Sequence, residues 1–290
     1  AMAGAAVLAG TWGSAISPGT SHNPFVADLA GTDIMSVIMN EAPSAIAASI
    51  VCAVTLAVIA IIRSEGPNEE RRAAYLEELA EEEQDKNFHI NPLYAIVPLV
   101  PLILLVLGSK QIAVLPLVSV PTAMITGCIL SLIVTRTSPQ EVTKKFFDGM
   151  GSAYGSVMGL IVAAAVFTAG MTAMGLTGAL IETMKGSESI ARIAGAFGPF
   201  VIAIISGSGD AAALAFNGAI TPHAETFGMT IVDLGSLAQM AGAIGRSMSP
   251  VAGAAIVCAG LAKVSPMEMT KRNALPMLLA TITFMIVLFL

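Results

Sequence analysis

Met240 to Ala262 reads MAGAIGRSMSPVAGAAIVCAGLA. The stretch is apolar and long enough to cross a bilayer, for which a helix needs about 20 residues. Its middle nevertheless carries Gly245, Arg246, Ser247, Ser249, Pro250 and Gly253. Proline removes a backbone donor and clashes with the preceding turn, and glycine is a poor helix former. Hydrocarbon penalises every unpaired backbone group, so such a break survives only where it is buried in protein or lines a wet cavity. An arginine at that depth is costly without a partner, which marks Arg246 as a functional-site candidate. The plain alternative is a kinked packing helix whose Arg246 snorkels to an interface.

A second copy of the pattern decides between them. Leu8 to Ala30 reads LAGTWGSAISPGTSHNPFVADLA, and a shift of 232 positions aligns it without gaps. Gly10 then falls on Gly242, Gly13 on Gly245, Ser17 on Ser249, Pro18 on Pro250 and Ala30 on Ala262. Each copy leads through a short polar patch to a proline, Pro43 or Pro276, and another apolar span. Two interrupted helices at matching places in two halves point to the binding site of a carrier.

Composition agrees. The chain is 55% hydrophobic and 12% charged, with a mean hydropathy of +0.81, far from the usage of a soluble domain. The net charge of −6 is a local effect, because nine acids lie between Glu65 and Asp85. The rest is near neutral and carries no nucleic-acid footprint. Cys52, Cys128 and Cys258 sit far apart inside apolar runs and read as small packing residues. No signal peptide is visible, and the chain opens at Ala1 already inside an apolar helix.

In chain order, a first span runs from about Met2 to Ala30, broken near Ser17–Asn23, and a second from Pro43 to Ile62. The loop Arg63–Ile90 follows, with a short surface helix expected inside it from its Glu, Ala and Leu content. Spans are expected at Asn91–Gly108, kinked by Pro92, Pro98 and Pro101, and at Leu115–Thr135. Pro139–Met150 reads as an amphipathic interfacial helix, with Val142, Phe146 and Phe147 opposite Lys144 and Lys145. Gly151–Met174 is another span. Ile190–Ile205, the SGSGD tip Ser206–Asp210 and Ala211–Ile220 make two arms short for a full crossing, as in a re-entrant hairpin. Ala274–Leu290 is the last span. The expected fold class is an all-α polytopic membrane protein, an inverted-repeat secondary transporter with broken transmembrane helices and a re-entrant hairpin. Its expected parts are 1–62, the end of the first repeat; 63–90, a cytoplasmic acidic loop; and 91–290, the second repeat. That repeat divides into scaffold spans 91–174, hairpin 189–220, broken helix 231–262 and last span 274–290.

Crossing counts put Arg63, Arg71, Arg72, Lys86, Arg136, Lys144, Lys145, Lys263, Lys271 and Arg272 on one side, against Lys110, Lys185 and Arg192 on the other. The richer side is cytoplasmic by the positive-inside rule. The two broken helices then run in opposite directions, and the hairpin enters from the outer face.

A helix broken at mid-depth presents an amino end with unpaired N–H groups and partial positive charge, a ready site for a carboxylate. The first break adds Ser17, Thr20, Ser21, His22 and Asn23. The second adds Arg246, Ser247 and Ser249, and the hairpin tip Ser206, Gly207, Ser208 and Gly209. Together they suit a small dianion. Gly13, Ser14, Asp210 and Asn217 are candidates for a coupling cation, with carbonyls at half-helix carboxyl ends for sodium, or His22 and His223 for protons. Asp210 is alternatively the N-cap of the second arm.

AGTWGSAISPGTSHNPFVADLAG, SGSGDAAALAFNGAITPHAETFG and GAIGRSMSPVAGAAIVCAG together resemble the DcuC family of anaerobic four-carbon dicarboxylate carriers, within the ion transporter superfamily. The resemblance covers nearly the whole chain. It implies succinate, fumarate or malate moved by symport or antiport across a bacterial inner membrane, no cofactor beyond a sodium ion or proton, and a homodimer in membrane lipid. In that pattern each half has a polar-tipped hairpin followed by a broken helix. The first hairpin would precede Ala1, so the resemblance implies a complete chain of roughly 450 residues. A cation–proton antiporter or another carboxylate carrier on the same scaffold is the near alternative. Gly207–Asp210 also matches the GxGD pattern of intramembrane aspartyl proteases, but Asp28 and Asp233 lack the aromatic neighbour expected of a second acid. A serine hydrolase built on Ser208 and His223 has less support still.

Overall fold

The computed structural model describes residues 2–20, 22–65, 94, 96–108, 114–136 and 138–290, which are helical throughout apart from turns. The surface helix expected in the acidic loop, together with Ser21 and Pro92, lies outside the described residues. Two compact units emerge, Ala1–Leu56 with Phe147–Leu290, and Ala57–Phe146.

In the first unit both predicted breaks are present. Helix α1 (Met2–Ala15) stops before Pro18 and α2 (His22–Ala30) resumes beyond it. A second interrupted pair, Ile231–Arg246 and Gly253–Leu261, brackets Pro250. The end of the first half-helix and both ends of the second fall within one residue of the 232 shift. The turns that follow match as well: Gly31 and Lys263, 232 apart, both adopt left-handed backbone, at φ 64 and 52. Asp33 then caps α3 (Ile34–Ile62), accepting from Ser36 N at 3.1 Å, and Ser265 holds the corresponding position ahead of Pro266–Leu288.

Those two long helices begin earlier than the sequence predicts. Pro43 and Pro276 are inside them, not at their starts. A proline forfeits one hydrogen bond but does not end a helix whose flanking turns are well packed. In α3, Glu41, Ala45, Ala48, Cys52 and Leu56 line the buried side. Ile46, Ile50, Val54, Val58 and Ile61 stand exposed along the other at helical spacing, as a lipid-facing stripe would.

The second unit holds α4 (Leu99–Leu107) and α5 (Val120–Thr135), which pack where Gly127 admits the Pro101 ring. Pro98 stands at the N-cap of α4, so it interrupts the expected 91–108 span instead of kinking it, as its fixed φ and missing donor allow. Ser119 caps α5, receiving Thr122 N at 3.3 Å.

α6 (Pro139–Ala153) has no buried residue and exposes Phe146 and Phe147, in keeping with an interfacial helix. One π-helical turn, Tyr154–Met158, leads into α7 (Gly159–Ala173). The expected 151–174 span does not end there. Gly175, at φ 77, turns the chain by 79° into α8 (Leu176–Met184).

The hairpin follows as α9 (Glu188–Ser206) and α10 (Gly209–Ala219). At 19 residues α9 is long enough to cross a membrane, whereas the 11 residues of α10 are not. The turn Thr221–Phe227 connects to α11 (Ile231–Arg246), α12 (Gly253–Leu261) and α13 (Pro266–Leu288). Among the described residues three helices, α3, α9 and α13, pass the length and hydropathy requirements of a membrane span, and the bent α7–α8 pair is a fourth if counted as one. α11 is the hub of the unit: every residue from Leu234 to Gly245 is buried, against α9, α10, α2, α13 and α1.

Candidate functional site

Small residues set the geometry around α11. A side chain on Gly209 would lie 2.6 Å from the Gly242 carbonyl oxygen, and one on Gly242 equally close to the Gly209 oxygen. α10 and α11 therefore touch backbone to backbone. Gly245 similarly admits the backbone of Phe200 on α9.

That packing brings the hairpin tip to the second break. Gly207 takes φ 75, which only glycine adopts cheaply, and a Cβ there would sit 3.0 Å from Val251 Cγ2 and 3.2 Å from Ala252 N. Ser208 is the N-cap of α10, its hydroxyl accepting from Ala211 N at 3.2 Å, and Ser206 Oγ accepts from Ser208 N at 3.2 Å. Asp210 is thus not the cap expected from its residue type. It lies one position inside the helix, and its carboxylate reaches 3.5 Å from His22 Nδ1 on α2.

His22 is 4% exposed and neither of its ring nitrogens has a hydrogen-bond partner. Asp210 and Arg246 both act on it electrostatically, with opposite signs. The start of α2 and the start of α10 therefore meet, with the charge at the end of α11 close enough to act on the same imidazole. Arg246 is half-buried in the last turn of α11 and makes no hydrogen bond or ion pair among the described residues.

The other predicted residues divide. Ser17 offers its carbonyl to Thr20 Oγ1 at 2.9 Å and to Asn23 Nδ2 at 3.0 Å, so these three close the first break on itself. Ser247 is tied to α1 through its hydroxyl, bonded to Thr11 Oγ1, and to α13 through its carbonyl, which accepts from Asn273 Nδ2 at 3.2 Å. Ser249 is wholly buried with its hydroxyl unpartnered. Of the cation candidates, Gly13 is exposed with open space around it, and Ser14 is described for its backbone alone. Asn217 lies about 12 Å along α10 from Gly209. Its amide donates to the Gly235 carbonyl at 3.2 Å and accepts from Thr221 Oγ1 at 2.8 Å. His223 is exposed in the turn after α10.

Two residues at this site lie outside what the sequence singles out. Glu41 on α3 is 0% exposed, and Gln239 on α11 donates from the same nitrogen to Glu41 Oε2 at 2.7 Å and Asn23 Oδ1 at 2.6 Å. The one available signal is an acid two positions before Pro43, which is hidden when the span is started at the proline.

A guanidinium without an ion pair among the described residues, a buried imidazole and two helix amino ends are chemistry for holding an anion, not for breaking a bond. The protease alternative needs two carboxylates sharing a proton. Asp210 faces a histidine, Asp233 accepts from Thr230 Oγ1 at 2.6 Å and Asn40 Nδ2 at 2.9 Å, and Asp28 is exposed.

Broken helices, a hairpin seated against a break and lipid-facing stripes define a multi-pass membrane protein of the carrier class. Similarity to known proteins narrows this. The family model described as "C4-dicarboxylate anaerobic carrier", DcuC, matches residues 1–290, and the chain belongs to that family, one of carriers and not of enzymes. A putative uncharacterized transporter of Haemophilus influenzae is 45% identical over 272 residues, 92% of this chain and 97% of the relative. The anaerobic C4-dicarboxylate transporter DcuC of Escherichia coli K12 is 31% identical over 200 residues, 65% of this chain and 42% of the relative. The probable anaerobic C4-dicarboxylate transporter DcuC of Vibrio cholerae is 28% identical over 210 residues, 67% and 44% respectively. The chain thus spans less than half the length of these two DcuC transporters and nearly all of the Haemophilus relative. No solved structure matches it.

Proposed function

We propose that this chain binds and carries small C4-dicarboxylates, succinate, fumarate or malate, across the bacterial inner membrane as part of an alternating-access secondary carrier. One carboxylate of the substrate lies against Arg246 and the Ser249 hydroxyl at the second break. The other lies near His22 at the amino ends of α2 and α10. The observation that carries this reading is the seating of the hairpin tip, at Gly207, against Val251 and Ala252, beside an arginine that makes no protein ion pair among the described residues. The matched boundaries of the two broken helices, together with the Lys and Arg distribution, support opposed repeats that exchange access to this point. The family resemblance supports a homodimer.

Equilibrium binding of labelled succinate to the purified chain in lipid, with and without sodium, tests the reading. Saturable binding displaced by fumarate and lost in Arg246→Ala is the expected result. Wild-type affinity in that variant removes Arg246 from the site, and failure of the intact protein to bind any of the three acids overturns the substrate class.

A further inference from the structure

Glu41 is buried with 0% exposure in a helix long and apolar enough to cross the membrane. An ionised carboxylate in such a place costs several kcal/mol unless a cation faces it. None does so among the described residues. Its neighbours are neutral: the Gln239 amide, which donates to Oε2, and the Ser236 hydroxyl one turn away on α11. Glu41 Oε1 and Gln239 Oε1 are both buried acceptors without a hydrogen-bond partner. The Ser236 hydroxyl is the one unused donor beside Glu41 among the described residues, which leaves the two acceptors one donor short, and a proton on Glu41 supplies it.

The charged and titratable groups on the surrounding elements are otherwise occupied or distant. Asp233 holds Thr230 and Asn40, and Asp33 holds Ser36. Asp28 is exposed and His22 faces Asp210. Arg246 lies about 10 Å along α11 from Gln239, and Asp233 about 9 Å in the other direction. α1 carries no charged residue. On α13, Glu268 and Lys271 are exposed, and Arg272 donates to the Glu268 carbonyl at 2.8 Å.

Gln239 connects this acid to the first break. The nitrogen that faces Glu41 also donates to Asn23 Oδ1, and Asn23 Nδ2 holds the Ser17 carbonyl beside His22. We propose that Glu41 is a proton-binding site coupled to the dicarboxylate site through the Gln239–Asn23 bridge, so that dianion and proton are carried together. A proton taken from water on the loading side neutralises the Glu41 carboxylate, and the Gln239 amide can then serve both Glu41 and Asn23. Loss of that proton to water on the opposite side leaves a bare charge that draws the amide away from Asn23, loosening the break that holds the substrate. Protonation also removes a negative charge that would oppose the dianion. The chain's 232-position shift matches Glu41 to Asn273, a wholly buried amide that cannot ionise, so only one half of the pair carries the switch.

This inference rests on the dicarboxylate reading, and two measurements on the full chain in lipid separate the two. Infrared difference spectroscopy is expected to show the carbonyl stretch of a protonated carboxyl at neutral pH, lost in Glu41→Gln. Its absence from the wild type, or its persistence unchanged in the variant, overturns the proposal whatever the substrate. Where Glu41→Gln does not assemble, Gln239→Leu keeps the acid and removes its amide partner, so the band must shift in frequency; an unshifted band overturns the proposal as well. Succinate binding, followed over a pH range in which succinate stays dianionic, is expected to weaken by up to about tenfold per pH unit in the wild type and to be flat in Glu41→Gln. Equal pH dependence in both proteins overturns the coupling. No succinate binding at any pH overturns the substrate reading instead, and the infrared band still decides whether Glu41 holds a proton.

Discussion

Around Pro18 and Pro250 the chain interrupts a helix twice in the same manner, yet the two breaks treat their polar groups differently. At the first, Thr20 and Asn23 turn inward to satisfy the Ser17 carbonyl, and Gly19 N donates to the Ser17 hydroxyl at 3.2 Å. At the second, backbone turns do that work, Ser247 N reaching Ile244 O and Met248 N reaching Gly245 O, each at 3.0 Å. Among the described residues the Ser249 hydroxyl has no hydrogen-bond partner and Arg246 makes no ion pair. The matched glycines differ too. Gly242 and Gly245 receive the hairpin, while Gly10 and Gly13 face open space. A common backbone thus treats its polar groups in two ways: Thr20 and Asn23 of the first copy close their own break, and Arg246 and Ser249 of the second are the groups proposed to face the ligand.

The largest effect expected from this contrast is at Arg246. Charge-assisted hydrogen bonds contribute roughly 1.5–3 kcal/mol, so Arg246→Ala is expected to weaken succinate binding by about 10–100-fold. Membrane insertion should be intact, since removing a charge from a membrane segment eases insertion. A monodisperse variant with wild-type affinity would break the division between the two breaks. Next in size is a matched pair of glycine substitutions. Gly242→Val drives a side chain into the Gly209 carbonyl, where neither backbone can give, and overpacking of this kind costs about 1–3 kcal/mol or more. Gly10→Val meets nothing and should stay within about 0.5 kcal/mol. Thermal unfolding in detergent compares the two, and equal losses would mean that α1 is as tightly packed as α11.

The breaks, the turn of the hairpin and the 232-residue repeat are legible in the sequence, because glycine, proline and serine clustered inside an apolar run are incompatible with an unbroken helix in lipid. The expectation of two short hairpin arms fails for α9, which is long enough to cross. Legibility fails where proline has two possible outcomes. Pro43 looks like a helix start and lies inside a helix, whereas Pro98 looks like a kink and sits at an N-cap. Which outcome occurs depends on what packs around the turn, and a single sequence does not contain that. Starting the span at Pro43 also leaves Glu41 in a presumed loop. The roles of Ser17, Thr20 and Asn23 are equally illegible, since the same side chains serve to close a break or to bind an anion. Residue type favours Asp210 as a cap, but the left-handed turn at Gly207 brings Ser208 into that position.

The two breaks can be compared more finely through their aligned serines. Ser249→Ala removes a buried hydroxyl without a protein partner, and if that hydroxyl donates to substrate the loss is about 1 kcal/mol, or roughly fivefold in affinity. Ser17→Ala removes only the acceptor for Gly19 N in an exposed turn and should leave affinity unchanged. Titration calorimetry with succinate distinguishes them. The same affinity in all three proteins would place the ligand away from both breaks.

The smallest effects test the hairpin tip. Ser208→Ala deletes the cap of α10 and is expected to cost about 1 kcal/mol of stability. Asp210→Asn keeps that cap and gives up only a weak interaction with the helix dipole, about 0.5 kcal/mol at most. The reverse order would restore Asp210 as the cap. The binding readout is sharper, because its sign separates the roles open to Asp210. As the carboxylate beside His22, at 37% exposure, it opposes an incoming dianion across partly hydrated space. Its removal should therefore tighten succinate binding by a small factor. A cation ligand or proton carrier at this position would instead lose binding or coupling on the same change. Weaker succinate binding in Asp210→Asn, with α10 still stable, would move the coupling ion from Glu41 to the hairpin tip.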